Sequence, residues 1–183
     1  MTANDSYMWG TVMKKRSRRS IGVLVLVAGL VLPTVTALAA PAGWSVSFDP
    51  RKRVFLSYSE TKDGPRALLF ACLRDVDTLT VASEGVPDAS SNGQKATLTL
   101  VNGAARYAVD GEVSPDPFSK APGFSVDIDL DAKTIQGLRQ ELLPALEGKG
   151  PIELSIGRAH RELPVAGLAA PLKRFKSTCF GMR

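Results

Sequence analysis

Residues 67–73 are the most apolar run in the chain after its N-terminal segment, and this run most constrains the fold. It contains Cys72 and lies between the turn signals Asp63-Gly64-Pro65 and Arg74-Asp75. A core helix usually needs about ten residues or more, so seven apolar residues between turn signals indicate a short strand covered on both faces. We expect this strand to lie in the middle of the fold.

The first 39 residues have the order of a secretory signal peptide. A basic cluster at residues 14–19 precedes the apolar run 21–32, and Ala37 and Ala39 supply the small residues of a cleavage site. Such a segment directs export and is then removed. The sequence therefore predicts a signal peptide over residues 1–39.

Cleavage after Ala39 or Ala40 leaves residues 40–183 as a single exported β-rich domain, which we expect in the periplasm. The alternative is an inner-membrane protein anchored by residues 21–40, because about 20 residues can span a bilayer. Contact with the membrane is expected only if this leader is retained.

The charge of the chain is concentrated in its leader. The whole chain carries 23 basic and 18 acidic residues, and residues 1–39 hold five of the former and one of the latter. The remainder has 18 basic and 17 acidic residues, a net charge of +1. Nonspecific nucleic-acid binding needs a much larger positive field, so nucleic acid is excluded as an expected partner.

The two cysteines of the chain, Cys72 and Cys179, both follow the leader. In an oxidising compartment such a pair tends to form a disulfide. The alternatives are two free thiols or a redox pair, but redox pairs have the C-x-x-C spacing. A structural disulfide is the favoured prediction.

Alternating apolar and polar residues predict half-buried strands along most of the exported domain. The alternation is clear at residues 44–48, 124–130 and 152–156. We predict an α+β fold, mainly β: an antiparallel sandwich or partly open barrel of about seven to nine strands with two helices. The C-terminal helix is expected to pack on the sheet.

Two hairpins have predictable turns. Asn102-Gly103 is typical of a two-residue type I′ turn and pairs Val101 with Ala104. In the second hairpin, pairing Ile156 with Arg161 places His160 at the tip, and Pro164 predicts that the last strand is an edge.

Apolar stripes predict the two helices. The first follows Asp131, which can cap it, and Pro144 is expected to end or kink it. The final helix places Cys179 on its buried stripe. The members of that stripe are Leu168, Leu172, Phe175 and Cys179.

Catalytic signatures are absent from the sequence. It has one histidine and lacks G-x-S-x-G, a phosphate-binding glycine loop and H-E-x-x-H. Asp127, Asp129 and Asp131 suggest calcium, but the positions that need glycine and glutamate hold Ala132 and Leu138, so a solvated strand face is favoured. We expect no enzyme activity, no catalytic residue, no cofactor and no metal.

Exposed basic residues are the candidate contacts for a protein partner in the cell envelope. Three cations of the final helix, Lys173, Arg174 and Lys176, lie off its buried stripe. Solvated charges are the favoured interpretation, and the alternative is contact with an acidic partner or lipid headgroups. The predicted contact residues are Arg51, Lys52, Arg53, Arg106, Tyr107, Arg158, His160 and Arg161.

Several short pieces of the chain resemble a known family. They are Gly43-Trp44, residues 65–72 with residues 78–81, and residues 163–168 leading to Cys179-Phe180. These pieces resemble the exported accessory proteins of bacterial type VI secretion called VasI or TagO, although a second tryptophan after the last cysteine is missing. The resemblance implies a disulfide-closed β domain acting as a non-enzymatic interaction or accessory protein of the envelope, linked to secretion.

A second segment supports an alternative function. Residues 102–107, Asn-Gly-Ala-Ala-Arg-Tyr, are similar to a Ser-Gly-x-x-Tyr stretch of periplasmic lysozyme inhibitors, although the serine is missing. This resemblance implies an inhibitor or ligand-binding module directed at a cell-wall enzyme such as lysozyme, with Arg106 and Tyr107 at the contact.

Overall fold

A computed structural model describes residues 42–85, 93–115 and 121–181. The predicted leader and its cleavage site lie outside the described residues. Nine strands and three helical segments follow in chain order: β1 (Gly43–Asp49), β2 (Arg53–Ser59), β3 (Arg66–Leu73), β4 (Thr78–Glu84), β5 (Gln94–Asn102), β6 (Ala105–Pro115), β7 (Pro122–Asp129), α1 (Ala132–Gln140), α2 (Leu142–Glu147), β8 (Ile152–Ile156), β9 (Ala159–Leu163) and α3 (Ala169–Cys179).

The strands form one antiparallel sheet in the order β1-β2-β3-β4-β7-β6-β5-β8-β9. The sheet is curled into a half-barrel, and α3 packs on it. This confirms the predicted fold class, including a strand count within the expected range. It also confirms that the last strand is an edge, since β9 ends the sheet. Within the three described segments, no helix has the length and apolar character needed to cross a membrane.

The central strand β3 buries one face completely. Leu68, Phe70 and Cys72 alternate along it and have no exposed surface. Their side chains point to the inner side of the curled sheet, where the helices pack. The opposite face alternates between buried Ala67 and Ala71 and half-buried Leu69 and Leu73. The prediction that both faces are covered therefore holds for the inner face and is met only in part on the outer one.

The closing helix α3 covers the inner face of β3. Leu172, Phe175 and Cys179 are its buried residues, as the stripe predicts. The ring centroids of Phe70 and Phe175 are 6.2 Å apart. Cys72 and Cys179 form the predicted disulfide, with their Cα atoms 5.8 Å apart.

The first predicted helix is divided at Glu141 into α1 and α2. Pro144 explains the division, because its ring would clash with the carbonyl of Gln140 and it has no N–H for a helical hydrogen bond. Asp131 caps α1 as expected: its Oδ1 accepts a hydrogen bond of 2.6 Å from the Thr134 amide. That bond holds the pKa of Asp131 below its usual value.

The turn between β5 and β6 lies one residue later than the sequence predicts. Asn102 pairs with Ala105, so the two turn residues are Gly103 and Ala104. Asn102 is buried, and its Nδ2 donates to the carbonyl of Gly150 at 3.1 Å. Each residue of β5 therefore pairs with a residue of β6 that lies two positions further along the chain than predicted. Because the shift is an even number, every side chain stays on its predicted face.

The register of the second hairpin also differs from the prediction. Ile156 pairs with Ala159 instead of Arg161, so Gly157 and Arg158 form the turn. Gly157 takes a φ of 59°, which suits glycine at a tight hairpin turn. His160 consequently lies within β9 opposite Ser155, and its predicted position at the tip is wrong.

Candidate interaction surface

The turn between β1 and β2 presents two of the predicted contact residues. Asp49 pairs with Arg53, which leaves Pro50, Arg51 and Lys52 in the loop. The Asp49 carboxylate stabilises it by accepting a hydrogen bond of 2.8 Å from the Arg51 amide. Lys52 takes a φ of 61°, a conformation that suits glycine and strains most other residues. The side chains of Arg51 and Lys52 are exposed.

Arg53, the third member of the basic triplet, has a structural role. Its Nε lies 3.1 Å from both carboxylate oxygens of Asp75, and its Nη2 donates a hydrogen bond of 2.7 Å to Asp75 Oδ2. This hydrogen bonding lowers the pKa of Asp75, and the charge of Arg51 adds to the effect. Because its guanidinium is engaged in this pair, Arg53 is less available to a partner than Arg51 and Lys52.

Phe48 connects this turn to the closing helix. It is 46% exposed, although it continues the inner-face row that begins with buried Trp44. The guanidinium carbon of Arg174 lies 4.7 Å from the Phe48 ring centroid. A cation in this position is attracted by the ring, worth about 0.5–1 kcal/mol at an exposed site. The contact places a cation of α3 next to the end of β1.

We call Phe48, Arg51, Lys52 and Arg174 the basic patch. The turn that carries Arg51 and Lys52 begins two residues after Phe48. Among the described residues, none of the three cations has an ion-pair partner. With the Asp49 carboxylate of the same turn, the three cations leave a net charge of +2 beside an exposed aromatic ring, a composition that suits an acidic surface.

Arg106 and Tyr107 do not form a joint contact site. They are neighbours on strand β6, so their side chains point to opposite faces of the sheet. Arg106 is exposed, whereas Tyr107 is 5% exposed and belongs to the core. Burial, with the charge of Glu141, raises the pKa of Tyr107 to about 12. The expectation that Tyr107 contacts a partner is therefore corrected.

The three candidates of the last hairpin are also separated. Arg158 is exposed in the turn, and His160 is exposed on the outer face of β9. Arg161 points to the inner face, where it donates to the carbonyl of Gly85 at 3.0 Å and lies 3.9 Å from the Glu60 carboxylate. These contacts give Arg161 a role in joining the edge of the sheet to neighbouring segments.

The structure places Arg174 on Phe48, two residues that the sequence left in separate groups. Arg51 and Lys52 were predicted contacts, and Arg174 was recognised only as one of three cations on the final helix. Phe48 was missed, because the alternation that identifies β1 assigns it to the buried face. Nothing in the sequence indicates that α3 leaves Phe48, the last inner-face residue of β1, partly exposed.

The described residues contain no group of three or more His, Cys, Asp and Glu side chains arranged to hold a metal ion. One of the three carboxylates considered for calcium, Asp127, accepts a hydrogen bond of 2.6 Å from Thr80 Oγ1 on the neighbouring strand. Another, Asp131, caps α1.

The chain matches no protein-family model, and no similar curated protein or solved structure was found. The resemblance to the VasI or TagO proteins therefore stays a prediction.

Proposed function

We propose that this protein is an exported, non-enzymatic interaction protein of the bacterial envelope that binds an acidic surface of a partner protein through the basic patch. A role in or near a secretion assembly is part of this proposal. The observation that carries the binding mode is the contact of Arg174 with Phe48, which places a cation of α3 at the end of the strand that leads into the basic turn.

The disulfide supports the proposed location. Cys72 and Cys179 are bonded across 107 residues of chain, and such bonds persist in oxidising compartments. Together with the leader-like order of residues 1–39, this bond supports export to the periplasm.

The patch supports an electrostatic mode of contact. Charged surfaces steer partners of opposite sign and raise association rates, and salt weakens this effect. Phenylalanine and arginine are also both enriched at protein–protein interfaces relative to the rest of the surface. The alternative function as a lysozyme inhibitor receives less support, since the burial of Tyr107 leaves Arg106 without its proposed neighbour.

Site-specific photo-crosslinking in living cells tests the proposal. A photoreactive residue is introduced in separate strains at Phe48, Lys52 and Arg174 of the full chain, and at Gln136 on the exposed side of α1 as a matched control. We expect the three patch positions to crosslink to the same envelope protein. The control position is expected to give no such product.

A charge variant tests whether the contact is electrostatic. Arg51→Glu with Lys52→Glu should abolish the crosslink from Arg174, whereas Lys133→Glu on α1 should leave it unchanged. The proposal fails if the patch positions give no discrete product, or if Gln136 captures the same protein equally well.

A further inference from the structure

Strand β1 forms one edge of the sheet. Besides β2, no segment among the described residues forms a backbone hydrogen bond with it. In an antiparallel strand, consecutive residues direct their N–H and C=O groups alternately to one side and to the other. Every second residue of β1 therefore presents backbone groups that no described strand uses.

One hydrogen bond in the sheet identifies these residues. The Leu130 amide donates to the Asp77 carbonyl, which extends the ladder between β4 and β7. From this pair the alternation can be followed through the registers of β4, β3 and β2, and it assigns the odd-numbered residues of β1 to the ladder with β2. The even-numbered residues, Trp44, Val46 and Phe48, consequently direct their backbone groups to the free edge.

The other edge strand, β9, has features that prevent pairing with a further strand. It has five residues, against seven in β1, and Arg161 points a charge to its inner face. Pro164, which follows β9, has no N–H, and its carbonyl accepts a hydrogen bond from Trp44 Nε1. Short edges, inward charges and proline are the means by which proteins block edge pairing. Because β1 has no proline and no inward charge, it is the edge that remains open to another strand.

The side chains beside this edge indicate what kind of strand it suits. Val46 is half-buried and Phe48 is 46% exposed, so their apolar row on the inner face can be continued by an added strand. At the Phe48 end, Arg174 and the rest of the basic patch lie next to the path of that strand. A strand that fits this edge therefore has apolar residues on its inner side and carboxylates at the patch.

A second copy of this chain does not meet that requirement. Two β1 strands paired about a twofold axis run antiparallel, so the basic patch of one copy would lie beside the start of β1 in the other. Residues 40–43, Ala-Pro-Ala-Gly, contain no carboxylate. The occupant that fits is a segment of a different protein.

We propose that β1 accepts an extended segment of the acidic partner protein as a tenth strand of the sheet. The backbone groups of Val46 and Phe48 bind the segment by hydrogen bonds, and the basic patch binds its carboxylates. This inference rests on the function proposed above, because it describes how the same partner is held.

Photo-crosslinking from the outer face of β1 tests strand addition. An added strand lies beside both faces of β1, whereas a partner that contacts only the basic patch meets the inner face. A photoreactive residue at Ser47, which is exposed on the outer face, should therefore capture the same protein as one at Phe48. Glu162, exposed on the outer face of the other edge strand, is the matched control and should not capture it.

The outcomes separate this inference from the proposed function. If Phe48 captures a partner and Ser47 does not, strand addition is overturned and the proposed function stands. Capture of a second copy of this chain by Ser47, or equal capture by Glu162, also overturns strand addition. If no position of the basic patch captures a partner, both proposals fail.

A proline variant tests the backbone contact. Val46→Pro removes the outward N–H, and proline is tolerated in an edge strand when that group faces away from the sheet. The loss of one hydrogen bond should lower the yield of the Arg174 crosslink roughly three- to tenfold. Val46→Ala keeps the N–H and should retain most of the yield, so equal losses in the two variants would overturn the backbone contact.

Amide hydrogen exchange of the purified, unsubstituted protein tests the free edge directly. The amides of Ser45 and Ser47, which bond to β2, should exchange slowly. Those of Val46 and Phe48 should exchange roughly tenfold faster or more, because no strand covers them. Equally slow exchange at all four positions would mean that the edge is already paired, and would overturn the proposal.

Discussion

Cys72 and Cys179 are bonded to each other between the centre of the sheet and the closing helix. Cys72 lies on the fully buried inner face of β3, and Cys179 is the last residue of α3. The bond closes 107 residues of chain, nearly the whole distance from the third strand to the end of the fold. The disulfide holds α3 against β3, the strand on which Phe175 of α3 also packs.

Removing this disulfide should strongly destabilise the protein. A loop of this length corresponds to about 4–5 kcal/mol in the chain-entropy model. We expect Cys72→Ser and Cys179→Ser each to lower the free energy of unfolding by an amount of this order, measured by urea denaturation. The double variant should lie within about 1 kcal/mol of either single variant, because each single change already removes the whole bond. Additive losses would contradict a paired role.

In the two hairpins the alternation of residues was enough to predict which face each strand buries, whereas register required tertiary contacts. In both hairpins the pairing shifts by two residues, so the inward residues stay inward. Asn102 is excluded from its expected turn because its side chain is buried on Gly150, almost fifty residues away. His160 moves into β9 because Gly157, which adopts a positive φ, forms the turn.

Gly111 in β6 should be intolerant of any side chain. A Cβ atom there would lie 2.6 Å from both the Phe124 ring and the carbonyl oxygen of Ser125, and the carbonyl belongs to the backbone of β7. We expect Gly111→Ala to lower the free energy of unfolding by about 1–3 kcal/mol, the usual cost of overpacking. Thermal denaturation followed by circular dichroism measures the effect.

Gly137 in α1 is the matched control for that substitution. A Cβ atom at Gly137 would have no neighbour within 4 Å. Alanine is favoured over glycine in a helix by up to about 1 kcal/mol, so Gly137→Ala should raise the melting temperature. If Gly111→Ala were as stable as the unchanged protein, the close approach of β7 to β6 would be wrong.

Lys52 has an unfavourable backbone conformation within the basic patch. Its φ of 61° costs an L-residue about 1–2 kcal/mol, and glycine removes that cost while adding roughly 0.5–1 kcal/mol of unfolded-chain entropy. We expect Lys52→Gly to leave the free energy of unfolding unchanged or to raise it by up to about 1 kcal/mol. Thermal denaturation measures this change.

Lys52→Ala separates backbone strain from charge. Alanine removes the same charge but keeps the Cβ atom, so it should bring no gain in stability. Both variants should weaken the patch crosslink from Arg174 to a similar degree. A large loss of stability in Lys52→Gly would instead show that the lysine side chain supports the fold.

The candidate surface was only partly predictable, and Phe48 shows the physical reason. Its place in the alternation is correct, since it shares a face with Trp44. Its exposure depends on which residue of α3 lies over it, and an arginine rather than an apolar residue meets its ring. The contact between Phe48 and Arg174, which are 126 positions apart, depends on tertiary packing and cannot be predicted from a single sequence.

Tyr107 should make the stability of the fold sensitive to alkaline pH. Burial raises its pKa to about 12 in the folded protein, against about 10 in the unfolded chain. Between these values the unfolded chain releases a proton that the folded protein retains, so the free energy of unfolding falls as pH rises. The loss attributable to Tyr107 should be absent below pH 10 and approach roughly 2–3 kcal/mol near pH 12.

Tyr107→Phe isolates this contribution, because phenylalanine keeps the ring but has no ionisable group. We expect the variant to lose less stability than the unchanged protein between pH 10 and 12, and to differ from it by no more than about 1 kcal/mol at pH 7. Urea denaturation at pH 7, 10 and 11.5 measures the difference. All other titrating groups are common to both proteins, so parallel pH profiles would mean that the Tyr107 hydroxyl is accessible to water in the folded state.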